Sequence, residues 1–171
     1  MKQRIYIGIL IALFLTLQMD LFGQDSEKIL KVLSKEMEMP KSKIQLEACK
    51  LNDLLREKVD AVYKLQVEGQ QEGYVILAKG MGRYDEFRFF LLTGLDKATA
   101  MVRVVNYISD HGGEISSKKW LGQFVGYKGG ELKYGEDIQA ISGATISARS
   151  ITNRVHEIVS LLKETEIQAV Y

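Results

Sequence analysis

The chemistry-bearing residues of this 171-residue chain gather near its C-terminal end. Between the glycine-rich stretch Gly126-Tyr127-Lys128-Gly129-Gly130 and the last strongly amphipathic segment lies Asp137-Ile138-Gln139-Ala140-Ile141-Ser142-Gly143-Ala144-Thr145-Ile146-Ser147. Within it, Ser142-Gly143-Ala144-Thr145 sets two hydroxyls around two residues of minimal bulk, directly ahead of an expected helix. A helix N-terminus presents unsatisfied N–H groups and the positive end of the dipole, so it favours an anion. Gly143 and Ala144 would let a large group approach the backbone. The pattern has the shape of a phosphate site. It is also the pattern of a capped helix, with Ser142 or Thr145 as the cap, because Ser and Thr are preferred there.

The elements that must position this segment are legible in the hydrophobic pattern. Ser147 to Thr165 places Ile151, Val155, Ile158, Val159 and Leu162 on one helical face. Upstream, Ala61 to Glu68, Gly73 to Lys79, Glu86 to Leu92 and Ala100 to Ile108 are four runs rich in Val, Tyr, Phe, Leu and Ile. Turn-like stretches separate them: Gly69-Gln70-Gln71, Gly80-Met81-Gly82-Arg83 and Thr93-Gly94-Leu95-Asp96-Lys97. Such short connections cannot make parallel crossovers, so the runs predict an antiparallel meander. Asp25 to Met39 reads as an amphipathic helix closed by Pro40, and Lys118 to Gly126 as a short one carrying Trp120, Leu121, Phe124 and Val125. The pattern from Lys43 to Glu57 is mixed, and its type stays open. The expected fold class is α+β, an antiparallel sheet (meander) covered by helices.

Composition narrows the chemistry. With 46% hydrophobic and 26% charged residues and a formal charge of +1, the chain is an ordinary globular protein without the field that nucleic-acid binding requires. Cys49 is the sole cysteine, which excludes an intrachain disulfide, a thiolate metal site and a C-x-x-C-H haem attachment; it is expected in the core. His111 and His156 are the only histidines and make no H-E-x-x-H pair. Ser116-x-x-Lys119 and Ser160-x-x-Lys163 match the S-x-x-K of penicillin-recognising enzymes but lack the accompanying S-D-N and K-T-G.

The N-terminus has a different character. Lys2 and Arg4 precede an apolar run from Ile5 to Leu17, thirteen residues broken only by Gly8 and Thr16. A spanning helix needs about 20 apolar residues, so the layout predicts a signal peptide, residues 1–23, cleaved near Gly23–Gln24. Retention as an anchor is the alternative. Cleavage removes Lys2 and Arg4 from 23 basic residues and Asp20 from 22 acidic ones, leaving 21 of each. Residues 24–60 then read as an N-terminal helical and mixed segment packing on a domain at 61–171.

Asp137 followed by Ser142-Gly143-Ala144-Thr145-Ile146-Ser147 resembles the motif of FMN-binding domain proteins. That family includes the covalent-FMN subunits of the Rnf and sodium-pumping NADH:quinone oxidoreductase complexes. The resemblance runs from about Gly73 to Leu162, through G-Y-V-I-L, the strand around Val102 to Ile108 and K-K-W-L-G-Q-F-V-G at Lys118 to Gly126. It implies that Thr145 carries FMN through a phosphodiester bond, installed from FAD by a magnesium-dependent flavin transferase. Ser142, Gly143 and Ala144 would surround the phosphate, with Ile146 and Ser147 next to them. Asp137 is either read by the transferase or organises the turn. The implied protein is an exported electron carrier, periplasmic or at the outer face of the cytoplasmic membrane, serving redox partner proteins there. A flavin-dependent reductase of a small substrate, or an unflavinylated ligand- or partner-binding module, are the alternatives.

The chain departs from those subunits in two places: a loop that usually reads E-T-P-G-L-G or similar here reads Ser109-Asp110-His111-Gly112-Gly113-Glu114-Ile115, and a removable signal is expected where they keep an N-terminal membrane helix. Both differences imply a smaller, stand-alone relative. His111, Gly112 and Gly113 either border the flavin or form a plain turn. Trp120 and Phe124 either pack on the flavin or fill the core.

Overall fold

The computed structural model describes residues 24–107, 113–164 and 168–169. By backbone proximity the chain divides into two compact units, Met1–Lys41 and Ser42–Tyr171. In the first, residues 24–36 form helix α1, whose apolar stripe buries Ile29 and Leu33. Ser34 Oγ donates to the Met39 carbonyl and so holds the turn that follows the helix.

The second unit is built on a six-stranded sheet. Its strands are β1 (Ile44–Lys50), β2 (Ala61–Val67), β3 (Gln70–Met81), β4 (Glu86–Gly94), β5 (Thr99–Asn106) and β6 (Gln168–Ala169), with α2 (Asp53–Arg56) between β1 and β2. The order is β5-β4-β3-β2-β1-β6, and every neighbouring pair is antiparallel. Strands β1 to β5 are therefore a meander and the fold is α+β. The mixed stretch from Lys43 to Glu57 resolves into β1 and the one-turn helix α2, where Asn52 Oδ1 accepts from Leu55 N at 2.9 Å. Strand β1, from the stretch 24–60, pairs with β2 inside this sheet.

The turns are tighter than the residue types suggested. Glu68 and Gly69 alone form the β2–β3 turn, both with positive φ, 51° and 81°, the geometry whose twist suits a two-residue hairpin. Gln70 and Gln71 already pair in β3, and Gly80 and Met81 pair with Phe87 and Glu86. Pairing continues until the partner strand runs out, because each added residue satisfies backbone groups that would otherwise compete for water.

One face of the sheet packs on α4 (Thr145–Glu164). Ile76 and Ala78 of β3, Phe87, Phe89 and Leu91 of β4 and Val102 of β5 share a core with Ile151, Val155, Ile158, Val159 and Leu162. Cys49 lies in this core, where burial pushes its thiol up from the usual range. Helix α3 (Lys118–Leu121) runs on into a 3-10 turn, Gly122–Phe124. Its aromatics fill the core: Trp120 and Phe124 are buried and meet edge to face at 5.4 Å between centroids.

Between Phe124 and α4 runs a long irregular connection, held at several points. Thr99 N donates to the Tyr127 carbonyl and Gly126 N to the Thr99 carbonyl, each under 3 Å. Trp120 Nε1 donates to the Gln139 carbonyl at 2.7 Å, Gln139 N donates to Gln123 Oε1 at 2.9 Å, and Ile141 N to the Tyr134 hydroxyl at 2.9 Å. Loops of this length inside compact domains usually serve a site.

Candidate functional site

The site is assembled at the first turn of α4. Ala144 N donates to the Ile141 carbonyl across a turn in which Gly143 has φ of 80°, a left-handed conformation that side chains resist. Ala148 N donates to the Ala144 carbonyl, so the helix starts at Thr145 and not near Ser147 as its periodicity suggested. The hydrophobic stripe begins only at Ser147 and Ala148, both buried, whereas Thr145 and Ile146 are helical yet exposed. Capping by Ser142 or Thr145 is also corrected. The residue ahead of the helix is Ala144, whose side chain has no acceptor, and among the described residues neither hydroxyl bonds to the helix's first N–H groups. Those N–H groups have no partner inside the helix and carry the positive end of the dipole.

The first turn faces an open groove of about 580 Å³, in the range of small-molecule sites, roughly 300–1,000 Å³. One wall is the chain from Gly143 to Ser147. The other is Tyr107 at the end of β5 and the tip of the β3–β4 hairpin, Arg83 and Tyr84. Gly82 N donates to the Asp85 carbonyl at 2.8 Å and closes that turn. Met81 N donates to Ser150 Oγ at 2.7 Å, which ties the hairpin to the second turn of α4. Tyr107 packs edge-on to Phe87 at 5.4 Å, and its hydroxyl lies 3.4 Å from Ser147 Oγ.

Asp137 serves the turn that contains it. Its Oδ2 accepts from Lys133 N at 2.8 Å, and its own N–H donates to the Lys133 carbonyl at 2.9 Å. It does not line the groove. His111 and Gly112 lie outside the described residues. Gly113, exposed and without a positive φ, opens a 3-10 turn, Gly113–Ser116, that buries Ile115 in the core. The structure thus brings Gly143, Ala144, Thr145, Ile146 and Ser147 to the groove, and leaves Ser142, exposed one residue before them, and Asp137 outside its lining.

Further along α4, the Tyr127 hydroxyl donates to the Gly130 carbonyl at 2.7 Å and sits 2.7 Å from His156 Nδ1. With that hydroxyl proton committed, His156 presents its own Nδ1–H to the phenol oxygen. Burial, and then the charge of Asp137, pushes the Tyr127 phenol up from its usual range. Arg149 lies over the Tyr134 ring at 5.7 Å. No cluster among the described residues has the His, Cys, Asp and Glu content to hold a metal ion.

The sequence pattern marked Arg83 only as a turn residue and passed over Tyr84 and Tyr107. An aromatic at a hairpin tip, where Gly, Asn and Asp are the usual choices, was the available signal.

The family model of the FMN-binding domain matches residues 57–160. The chain belongs to this family of FMN-binding flavoproteins. The crystal structure of Shewanella oneidensis NqrC is similar, with a TM-score of 0.45 and 17% identity over 70% of each chain. No curated protein matches the chain. The residues at the groove fit FMN: an exposed hydroxyl and free helix N–H groups for its phosphate, and an exposed aromatic and a cation across from them.

Proposed function

We propose that this protein is an exported electron carrier whose FMN is joined to Thr145 by a phosphodiester bond. The observation that carries this reading is the Thr145 side chain, exposed at the first position of a 20-residue helix, without a hydrogen bond among the described residues, and facing the groove. A hydroxyl committed to capping would be shielded from a modifying enzyme, and this one is accessible.

In the attachment, Thr145 Oγ bonds to the phosphorus of the FMN half of FAD, the pyrophosphate bond breaks, AMP leaves, and the hydroxyl proton is released. A flavin transferase with magnesium supplies the catalysis. The resulting diester keeps one negative charge, which the N–H groups of the first turn of α4 can hold without a lysine. Gly143 and Ala144 leave the backbone uncovered for it. Bound FMN supplies the redox chemistry, and the chain supplies attachment, burial and tuning. The basic start and thirteen-residue apolar run support export, and with it service to redox partner proteins at the cytoplasmic membrane.

Coexpression with a flavin transferase, FAD and magnesium tests the proposal by intact mass. The expected product is heavier by one FMN less one water, and peptide mapping places the addition on Thr145. An unmodified mass with active transferase removes the covalent-carrier reading.

A further inference from the structure

The β3–β4 hairpin tip holds two side chains that the fold itself does not use. Tyr84 is 83% exposed, far more than a packing aromatic would be. The Arg83 guanidinium lies 5.5 Å from its ring centroid and has no carboxylate partner among the described residues. Yet the tip does not hang free. The bond from Met81 N to Ser150 Oγ anchors it on α4, and Gly82 is buried so closely that an added Cβ would lie 2.9 Å from the Asp85 carbonyl oxygen and 3.5 Å from Ser147 Oγ. An anchored tip that presents a cation without a carboxylate partner, and an exposed aromatic beside it, across a groove from Thr145 is built for a ligand that is planar and rich in acceptors.

We infer that this tip is the ring-binding half of the flavin site, with Tyr84 stacking on the isoalloxazine and Arg83 meeting its carbonyl-bearing edge. The inference rests on the FMN reading above and assigns it residues that the attachment motif does not contain. Charge divides the work between the walls. The phosphodiester is met by the helix N-terminus, which leaves the guanidinium for the ring. The ring takes up two electrons and one proton on full reduction by dithionite and so gains one negative charge. A cation beside it favours that state.

The test uses flavinylated full-length protein, with intact mass confirming one FMN in every variant. In Tyr84→Ala, flavin emission and quenching by neutral acrylamide should both rise roughly 2- to 10-fold, the population ratio of a ring contact of about 0.5–1.5 kcal/mol. Tyr84→Phe should keep the protection from acrylamide, because the stacking face remains. Arg83→Gln should move the midpoint potential to a more negative value, and Arg83→Lys should restore part of the shift. If emission, quenching and potential match wild type in Tyr84→Ala and Arg83→Gln while the FMN mass is present, the tip is an ordinary surface turn and the inference fails alone. If wild-type protein takes up no FMN, the flavin reading fails and this assignment goes with it.

Discussion

Met81 N and Ser150 Oγ, 69 residues apart in the chain, are joined by a hydrogen bond of 2.7 Å, and this contact sets the end of β3 against α4 beside the attachment motif. It makes the two walls of the groove one object. Ser150→Ala should leave the Met81 N–H to water at a cost of about 0.5–1.5 kcal/mol, and should loosen the hairpin tip. Amide hydrogen exchange at Met81 should quicken while the core strands stay protected. Unchanged exchange there would show that strand pairing alone holds the tip.

Thr145→Ala should abolish flavin attachment with little effect on folding. The residue is exposed and caps nothing, so the stability change should stay within about 0.5 kcal/mol. Thr145→Ser should retain the modification, since the hydroxyl and its place on the helix are kept. Denatured protein that stays yellow in Thr145→Ala would move the attachment to another hydroxyl, with Ser142 and Ser147 the nearest.

Gly143→Ala tests the turn ahead of the helix. An added Cβ meets nothing within 4 Å, so any penalty comes from the φ of 80°, about 1–2 kcal/mol for a side chain held in the left-handed region. Urea unfolding should report that loss, and the yield of flavinylation should fall with it. Wild-type stability in this variant would mean that the turn relaxes freely.

The raised Tyr127 phenol gives a pH dependence of definite sign. A group whose folded pKa lies above its unfolded value, about 10 for tyrosine, adds stability that is complete below that value and is lost as pH rises through the folded one. Urea midpoints should therefore decline in the alkaline range, and Tyr127→Phe should remove part of the decline. At neutral pH the same variant should lose about 1 kcal/mol, because the Gly130 carbonyl and His156 both lose a partner.

Export makes a separate prediction. N-terminal sequencing of the secreted or periplasmic form should begin close to Gln24. A mature chain that still carries Lys2 would replace the cleaved signal by a retained anchor.

Local pattern was sufficient for much of this molecule. The 3.6-residue spacing from Ile151 to Leu162 specified the buried face of α4, and the short connections among four apolar runs left an antiparallel meander as the only economical arrangement. The order Ser142-Gly143-Ala144-Thr145 before that helix pointed to a site at its start. Three things needed the folded structure, two of them local hydrogen bonds and one a matter of packing. The helix begins at Thr145 because the Gly143 turn lets Ala144 N reach the Ile141 carbonyl, a backbone event that hydrophobic spacing does not register. Asp137 is occupied by the Lys133 amide, which its distance in sequence from Thr145 did not reveal. Arg83 and Tyr84 stand across from Thr145 because the sheet lies on α4 and Met81 is bonded to Ser150; such long-range adjacency depends on how whole elements stack, and residue types near Thr145 carry no trace of it.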